Sequence, residues 1–268
     1  MTKHRTCMFA HYDASGGIKT YVRMHLAALR KICDTIIFVT TSERDRKIRA
    51  EIQGLVDDFQ SVENKGYDFG MWQRAISKLP VHKIDELVLT NSSVLGPVWP
   101  LESCFEQMRD LPVDIWSMTD NHELLWHMQS YFLVFRARAL HSAAFKQFWR
   151  QLLPYRDKWQ TILSYELGLS TYFRENDFYL RALYPSHSVD DRSWQQNTSE
   201  TPRPRNPVMA WPQELMRLGF PYVKIELLRE NPYKIDLAHI YQHLAQAGYD
   251  EEAIEIGQKA SNMRNINI

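Results

Sequence analysis

The sequence predicts an α/β fold in which a mostly parallel sheet is flanked by helices, and three observations carry that reading. Short apolar, β-branched runs alternate with helical patterns through the first hundred positions, as β-α-β crossovers require. Thr35–Thr40 (TIIFVT) is apolar without alternation, as a strand covered on both faces must be. Polar or glycine-bearing loops follow the strands at residues 11–17, 63–70 and 91–97, the end of such sheets where ligands bind.

Taken in order, residues 5–10 form an apolar run that ends in the turn-rich stretch 11–17. Ile18, Val22, Leu26, Leu29 and Ile32 recur at three- and four-residue spacing and predict a helix with one buried face. After the strand Thr35–Thr40, Ser42 and Asp45 have the spacing of a capping pair and open a polar helix reaching Val56. Residues 59–62 predict a third strand, 68–79 a helix, 86–90 (ELVLT) a fourth strand, and Leu101–Met108 a helix introduced by Pro97 and Pro100. Beyond Pro112 the order changes: 114–118 and 131–135 read as strands around a polar aromatic loop, and 137–152 and 158–174 as helices. Residues 190–207, with three prolines and many polar side chains, predict a loop or lid. Ile240, Leu244, Gly248, Ala253, Ile254 and Ile256 predict a helical hairpin. The expected organisation is one domain over residues 1–235 and a helical tail over 236–268.

Composition narrows the function. Lys plus Arg and Asp plus Glu each number 32 in the 268 residues, so the formal net charge is zero and no basic field exists to gather a nucleic acid. No apolar run approaches the roughly 18 to 20 residues of a membrane span. Residues 1–5 (MTKHR) have no apolar signal core behind them, so a cytoplasmic protein is expected. Cys7, Cys33 and Cys104 are odd in number, far apart and in apolar surroundings, which reads as buried thiols. Neither Gly-x-Gly-x-x-Gly after the first strand nor a P-loop motif is present. His122 and His127 flank one residue too many for a zinc protease signature, because positions five apart on a helix differ by about 140° in direction.

Chemistry concentrates in a few segments. Residues 63–72 (ENKGYDFGMW) join an amide, a cation, two glycines and a carboxylate at a helix start. Glycines let backbone amides approach a ligand and a helix start favours anionic groups, which makes Asn64, Lys65, Gly66, Tyr67, Asp68 and Gly70 candidates for binding. A turn capped by Asp68 explains the same residues without a ligand. Asn91, Ser92 and Ser93 place three small polar side chains at a strand end, as a ligand loop or as an Asx turn. Asp120 ends another strand, and His127 and Gln129 precede the next; around one cleft these would grip a sugar. Glu166 stands in an otherwise apolar helical stretch, where burial would raise its pKa to a value useful for a base, unless it is a surface glutamate.

The set formed by residues 64–72 (NKGYDFGMW), 91–97 (NSSVLGP), 116–120 (WSMTD), 127–135 (HMQSYFLVF), 165–170 (YELGLS) and 221–232 (PYVKIELLRENP) resembles the rhamnan synthesis protein F family. These are glycosyltransferases of bacterial cell-surface polysaccharides and O-antigens. The resemblance covers residues 5–235 in the family's order and leaves the tail after Ala238 outside it. More distantly, the order is similar to that of GT-A fold glycosyltransferases, which implies a GT-A-like, Rossmann-type domain. By that resemblance His11, Tyr12 and Asp13 face the base and ribose, Asn64 to Asp68 the nucleotide, and Asn91 to Ser93 the diphosphate. Glu166 takes the place of the catalytic base, with Asp120 as second candidate. The resemblance further implies an inverting transfer of rhamnose from dTDP-rhamnose to a growing glycan on a lipid carrier. That acceptor implies peripheral attachment at the inner face of the cytoplasmic membrane, through residues 194–211 or the C-terminal helices.

One departure bears on the cofactor. GT-A metal sites carry two acids at this strand end, whereas Asn91-Ser92-Ser93 carries none, and hard ions such as Mg²⁺ and Mn²⁺ prefer carboxylate oxygens. No metal ligand is assigned, and a cation such as Lys65 is expected to meet the leaving diphosphate. Two rival readings keep part of this chemistry. One is a non-catalytic nucleotide-sugar or glycan-binding module of a polysaccharide synthase complex. The other is a glycoside hydrolase pairing Glu166 with Asp120, which needs the carboxyls about 5 to 9 Å apart.

Overall fold

The computed structural model describes residues 3–14, 16–42, 45–189 and 204–266. The expected alternation is present: β1 (Arg5–His11), α1 (Thr20–Arg30), β2 (Thr35–Thr40), α2 (Asp45–Glu51), β3 (Asp58–Ser61), α3 (Tyr67–Ile76) and β4 (Glu86–Asn91). A two-residue strand β5 (Val94–Leu95) and α4 (Leu101–Met108) lead to β6 (Ile115–Asn121), β7 (His127–Met128) and β8 (Phe132–Arg136). The next helices are α5 (Ala137–Leu140), α6 (Ala143–Gln151), α7 (Lys158–Thr161) and α8 (Gly168–Glu175), with a π-helical segment, Ile162–Leu167, between α7 and α8. Then come β9 (Leu180–Tyr184), α9 (Pro207–Ala210), α10 (Pro212–Arg217), β10 (Val223–Lys224), α11 (Ile225–Glu230), α12 (Ala238–Gln246) and α13 (Asp250–Ile266).

The main sheet has the order β3-β2-β1-β4-β8-β6-β7, with β9 paired to β6. β1 lies parallel to β2 and β4, β2 parallel to β3, and β9 parallel to β6, while β8 is antiparallel to both β4 and β6. β6 therefore runs with β4, and the sheet is mostly parallel as predicted. The chain builds outward from β1 to β3 and then crosses back to lay β4 on the other side of β1. That reversal opens a crevice beyond the carboxyl ends of β1 and β4, where a ligand of such a sheet sits.

Both faces of the sheet are covered because side chains alternate along each strand. Cys7 and Phe9 of β1 join Phe38, Val88, Trp116 and Val134 in a core closed by α1, α4 and the C-terminal helices. Met8 and Ala10 face the other way, into a core with Ile37, Val39, Leu89 and Phe135 closed by Trp72 of α3 and Phe145 and Trp149 of α6. All three cysteines are buried and free. No helix among the described residues is long and apolar enough to cross a membrane.

Several boundaries differ from expectation for local reasons. α2 stops at Glu51 rather than near Val56, with Gly54 at φ +82° in the turn that follows. The helix expected over 137–152 breaks in two because the Ser142 side chain accepts from the Phe145 N–H and starts α6 afresh. Strand β9 was not predicted: its sequence LRALY is short and carries Arg181. Most of the expected lid, residues 190–203, lies outside the described residues. The tail forms the predicted hairpin, turning at Gly248 (φ +81°). Ile240, Leu244, Tyr249 and Ala253 belong to the same core as α1, and Lys19 pairs with Glu255 at 3.2 Å.

Candidate functional site

The crevice beyond β1 and β4 is built from a chain of side-chain hydrogen bonds. Asn91, the last residue of β4, donates from Nδ2 to Asp68 Oδ2 at 2.7 Å. Its Oδ1 accepts from the Ser93 backbone N–H at 3.1 Å and the Ser93 hydroxyl at 2.6 Å, which is the Asx turn foreseen for this segment. Ser93 Oγ in turn accepts from Lys224 Nζ at 3.0 Å. β10 pairs antiparallel with β5, Lys224 opposite Val94, and this register delivers the lysine to the turn.

Burial drives the electrostatics. It raises the Asp68 carboxyl to about 6, with Glu166 pushing the same way, against the pull of Lys224, Asn91 and Lys158. Burial also lowers the Lys224 ammonium, while Glu166, Glu226 and Asp68 raise it. Glu166 is thus close enough for its charge to be felt by both. It sits in the π-helical segment between α7 and α8, a distortion often found at functional sites. Its Oε1 accepts from the Ser130 N–H and hydroxyl, both at 3.1 Å.

The first loop closes the crevice from the β1 side. Tyr12 N–H donates to Ser92 Oγ at 3.3 Å, and that hydroxyl donates back to the Tyr12 carbonyl at 3.4 Å. Tyr12 is 55% exposed. Asp13 adds negative charge felt by His11 and Tyr21, and its carbonyl accepts from the Gly16 N–H at 3.0 Å. His11 is buried beside Thr40, with 3.0 Å between Nδ1 and Oγ1, and burial lowers it to about 4.

Two glycines let the second loop take its course. Gly66 stands at φ +80°, and a Cβ there would lie 2.8 Å from Pro154 Cα. A Cβ at Gly70 would collide with the Lys65 carbonyl oxygen. Tyr67, also at positive φ (52°), donates its hydroxyl to the Arg156 carbonyl at 3.1 Å and ties this loop to the segment before α7.

Other expected site residues lie elsewhere or are already engaged. Asn64 is exposed. Lys65 pairs with Glu63 at 2.5 Å, and this contact holds the Glu63 carboxyl low; the cation beside Asn91 and Ser93 is Lys224 instead. Asp120 is buried with Oδ2 accepting from Trp126 Nε1 at 2.9 Å and Oδ1 from the Ser186 N–H at 2.7 Å, so both oxygens hold loops in place. His127 bonds the Leu125 carbonyl at 2.8 Å. Gln129 accepts from Thr119 Oγ1 at 2.6 Å and donates to Asn206 at 3.2 Å. Thr119 accepts in turn from the Tyr131 hydroxyl, whose ring lies 5.0 Å from Lys224 Nζ, so Gln129 supports the site from behind. Burial lifts the carboxyl of Asp68, a residue the resemblance had set against the nucleotide. Sequence reasoning also missed Lys224 and Ser130, although each stands inside a segment that carried the family resemblance.

Among the described residues no group of three or more His, Cys, Asp or Glu side chains can hold a metal ion. A separate cleft of about 460 Å³ lies by the amino end of the edge strand β3, lined by Arg46, Arg49, Gln53 and Asp58 among others, and shares no residue with the crevice.

Comparison with known proteins gives a family match and distant relatives. The model of the family described as rhamnan synthesis protein F matches residues 36–264. The match therefore includes the C-terminal helices, which the resemblance had left outside, and begins after β1 and α1. The virulence protein VirA of Vibrio anguillarum is 27% identical over 198 residues, covering 66% of this chain and 64% of its own length. The protein y4gN of Sinorhizobium fredii is 26% identical over 153 residues, covering 55% of this chain and 39% of its own. The chain thus spans less than two thirds of either relative. Among solved structures, glucosyl-3-phosphoglycerate synthase from Mycobacterium tuberculosis, in complex with Mn²⁺, UDP and phosphoglyceric acid, is similar with a TM-score of 0.45 and 10% identity, over 67% of this chain and 68% of that one. A cytidylyltransferase from Leptospira borgpetersenii is similar with a TM-score of 0.40 and 14% identity, over 69% and 76%.

Proposed function

Because this chain belongs to the rhamnan synthesis protein F family, we propose that it is a glycosyltransferase of cell-surface polysaccharide assembly that takes its sugar from a nucleotide-diphosphate donor. The observation that carries this reading is the convergence of Asp68, Asn91, Ser93 and Glu166 on the crevice beyond β1 and β4. The family description favours dTDP-rhamnose as donor, and a growing glycan on a lipid carrier as acceptor.

In this reading Glu166 is the base. Ser130 holds Oε1 through two hydrogen bonds, which leaves Oε2 for the acceptor hydroxyl. The acceptor oxygen attacks the anomeric carbon from the side opposite the diphosphate, its proton passes to Glu166, and the configuration inverts. Tyr12 and Asp13 meet the nucleoside, and the β4 turn meets the diphosphate. Membrane contact is assigned to a different patch from the expected 194–211 segment, part of which lies outside the described residues, or the C-terminal helices: Leu153, Trp159 and Leu163 are 60%, 64% and 52% exposed, with Arg156 and Lys158 exposed among them. Apolar side chains interleaved with cations suit an anionic lipid surface. Catalysis takes place on the cytoplasmic side.

The test is Glu166→Gln assayed with dTDP-rhamnose and a membrane-extract acceptor. Turnover should fall about 10²-fold or more while donor binding is kept. Unchanged turnover removes Glu166 from the mechanism. A second reading, a nucleotide-sugar binding module without catalysis, is favoured by the lack of acids at the end of β4; it predicts donor binding with neither hydrolysis nor transfer.

A further inference from the structure

The fold family that this sequence resembles holds the donor's diphosphate through a divalent cation at the end of the fourth strand. The residues here do not fit one. Asn91, Ser92 and Ser93 offer an amide and two hydroxyls, and the amide already spends Oδ1 on Ser93 and Nδ2 on Asp68. Asp68 is the acid bonded to that turn, and the chain of hydrogen bonds that runs from it through Asn91 and Ser93 ends on an ammonium, which repels a metal ion. The cation bonded to this turn is Lys224.

Its position is fixed from three sides. The β5–β10 pairing sets it opposite Val94, and the next residue, Ile225, donates its N–H to the Ser93 carbonyl at 3.1 Å. Nζ donates to Ser93 Oγ at 3.0 Å and lies 5.0 Å from the Tyr131 ring centre. An ammonium has three N–H donors. Ser93 takes one, and no ion pair joins Lys224 to a carboxylate among the described residues. Two donors remain in a half-buried place, and charged N–H donors are complementary to phosphate oxygens.

We propose that the Lys224 ammonium replaces the divalent cation and binds the donor's diphosphate directly, so that the protein takes nucleoside diphosphates without metal. This rests on the reading of the chain as a nucleotide-sugar transferase. In the transfer step the bond from the anomeric carbon to the diphosphate oxygen breaks and its electron pair stays on that oxygen. The acceptor oxygen bonds to the carbon and gives its proton to Glu166. The charge left on the diphosphate is met by the two free N–H groups of Lys224.

The experiment is calorimetric titration of the full chain with dTDP and with UDP, in EDTA and again with excess Mn²⁺. Affinity for the better nucleotide should be the same within about twofold in both conditions. Lys224→Gln, which keeps an N–H donor but removes the charge, should weaken the diphosphate about 10- to 100-fold, and Lys224→Arg should restore most of it. Thymidine and uridine should bind Lys224→Gln as they bind the wild type, because the lost contact is to phosphate alone. Binding that appears only with Mn²⁺, or a folded Lys224→Gln with wild-type affinity, overturns the proposal while leaving the transferase reading in place. Failure of the folded wild type to bind either nucleotide in any condition overturns both.

Discussion

Asn91 Nδ2 reaches Asp68 Oδ2 at 2.7 Å, and this one hydrogen bond locks the end of β4 to the first turn of α3. It holds a carboxyl in a place that burial makes unfavourable for its charge, lifting Asp68 to about 6. Its folded value lies above its unfolded value, so the native state binds more protons between the two. Stability therefore falls as pH rises from about 4 to 6 and stays lower above that. Asp68→Asn keeps an acceptor for Asn91 and removes the charge. It should raise the unfolding free energy by about 1 to 2 kcal/mol at pH 7.5, with the gain shrinking at pH 5. Urea denaturation at the two pH values measures it; an equal effect at both would show that ionisation of Asp68 is not what costs stability.

Gly70 and Gly54 separate close packing from backbone strain. Inside α3 an alanine should help the helix, but at Gly70 its Cβ meets the Lys65 carbonyl oxygen, while Gly54, at φ +82°, has nothing within 4 Å. Gly70→Ala should cost about 2 to 3 kcal/mol and weaken nucleotide binding, because the 65–68 backbone must move. Gly54→Ala should cost about 1 kcal/mol, the strain of a left-handed residue, and leave binding alone. The pair is read by urea denaturation together with dTDP titration; similar losses of binding in both variants would contradict this account.

The sheet and the loops that meet beyond β1 and β4 were legible because strand runs, glycines and strand-end polar residues are local signals. Asn91, Ser93 and Asp68 fall within about 25 positions, and the topology that unites them follows from alternating strands and helices. Lys224 was not legible, since it reaches Ser93 only through a two-residue strand paired across 130 positions of chain. Asp120 misled for a related reason. Nothing local tells that its oxygens are taken by Trp126 and by the backbone of Ser186, 66 residues away. Glu166 stood out in the sequence by its apolar neighbours, whereas its Ser130 partner comes from another element. Chemistry carried by neighbours in sequence was readable, and chemistry made by tertiary pairing was not.

Acid should weaken the fold through two imidazoles. Burial lowers His11 to about 4 and His25 to about 3. Both folded values lie below the unfolded one, so their stabilising share is complete above about pH 6.5 and is lost as pH falls toward the folded values. Asp68 acts in the opposite sense over part of that window, one group against two. From pH 7 to pH 5 the unfolding free energy should drop by about 2 kcal/mol or more. His25→Gln, which can still bond the Tyr222 hydroxyl now 2.9 Å from Nε2, should remove most of that drop, because Asp68 then offsets most of what His11 loses. An unchanged slope in the variant would show that His25 takes up its proton without unfolding.

At the amino end of β4, away from the crevice, Glu86 gathers three cations from two chain segments. Arg5 donates to Oε2 from Nε at 2.9 Å and Nη2 at 2.6 Å, Lys3 reaches Oε1 at 3.2 Å, and Arg136 lies 3.6 Å away. Burial alone would raise this carboxyl, but Arg5 and Lys3 hold it below its usual range. Its folded value is depressed, so its stabilisation is present above the unfolded value of about 4.3 and is lost as pH falls through the folded one. Glu86→Gln removes the charge and leaves Arg5 and Arg136, 17% and 14% exposed, without their counter-ion. It should cost about 3 kcal/mol at pH 7, measured by urea denaturation, and the difference from wild type should narrow in acid. Nucleotide affinity of the folded variant should match wild type, because Glu86 and Asn91 stand at opposite ends of one strand. A variant as stable as wild type would mean that the cations around Glu86 do not need it.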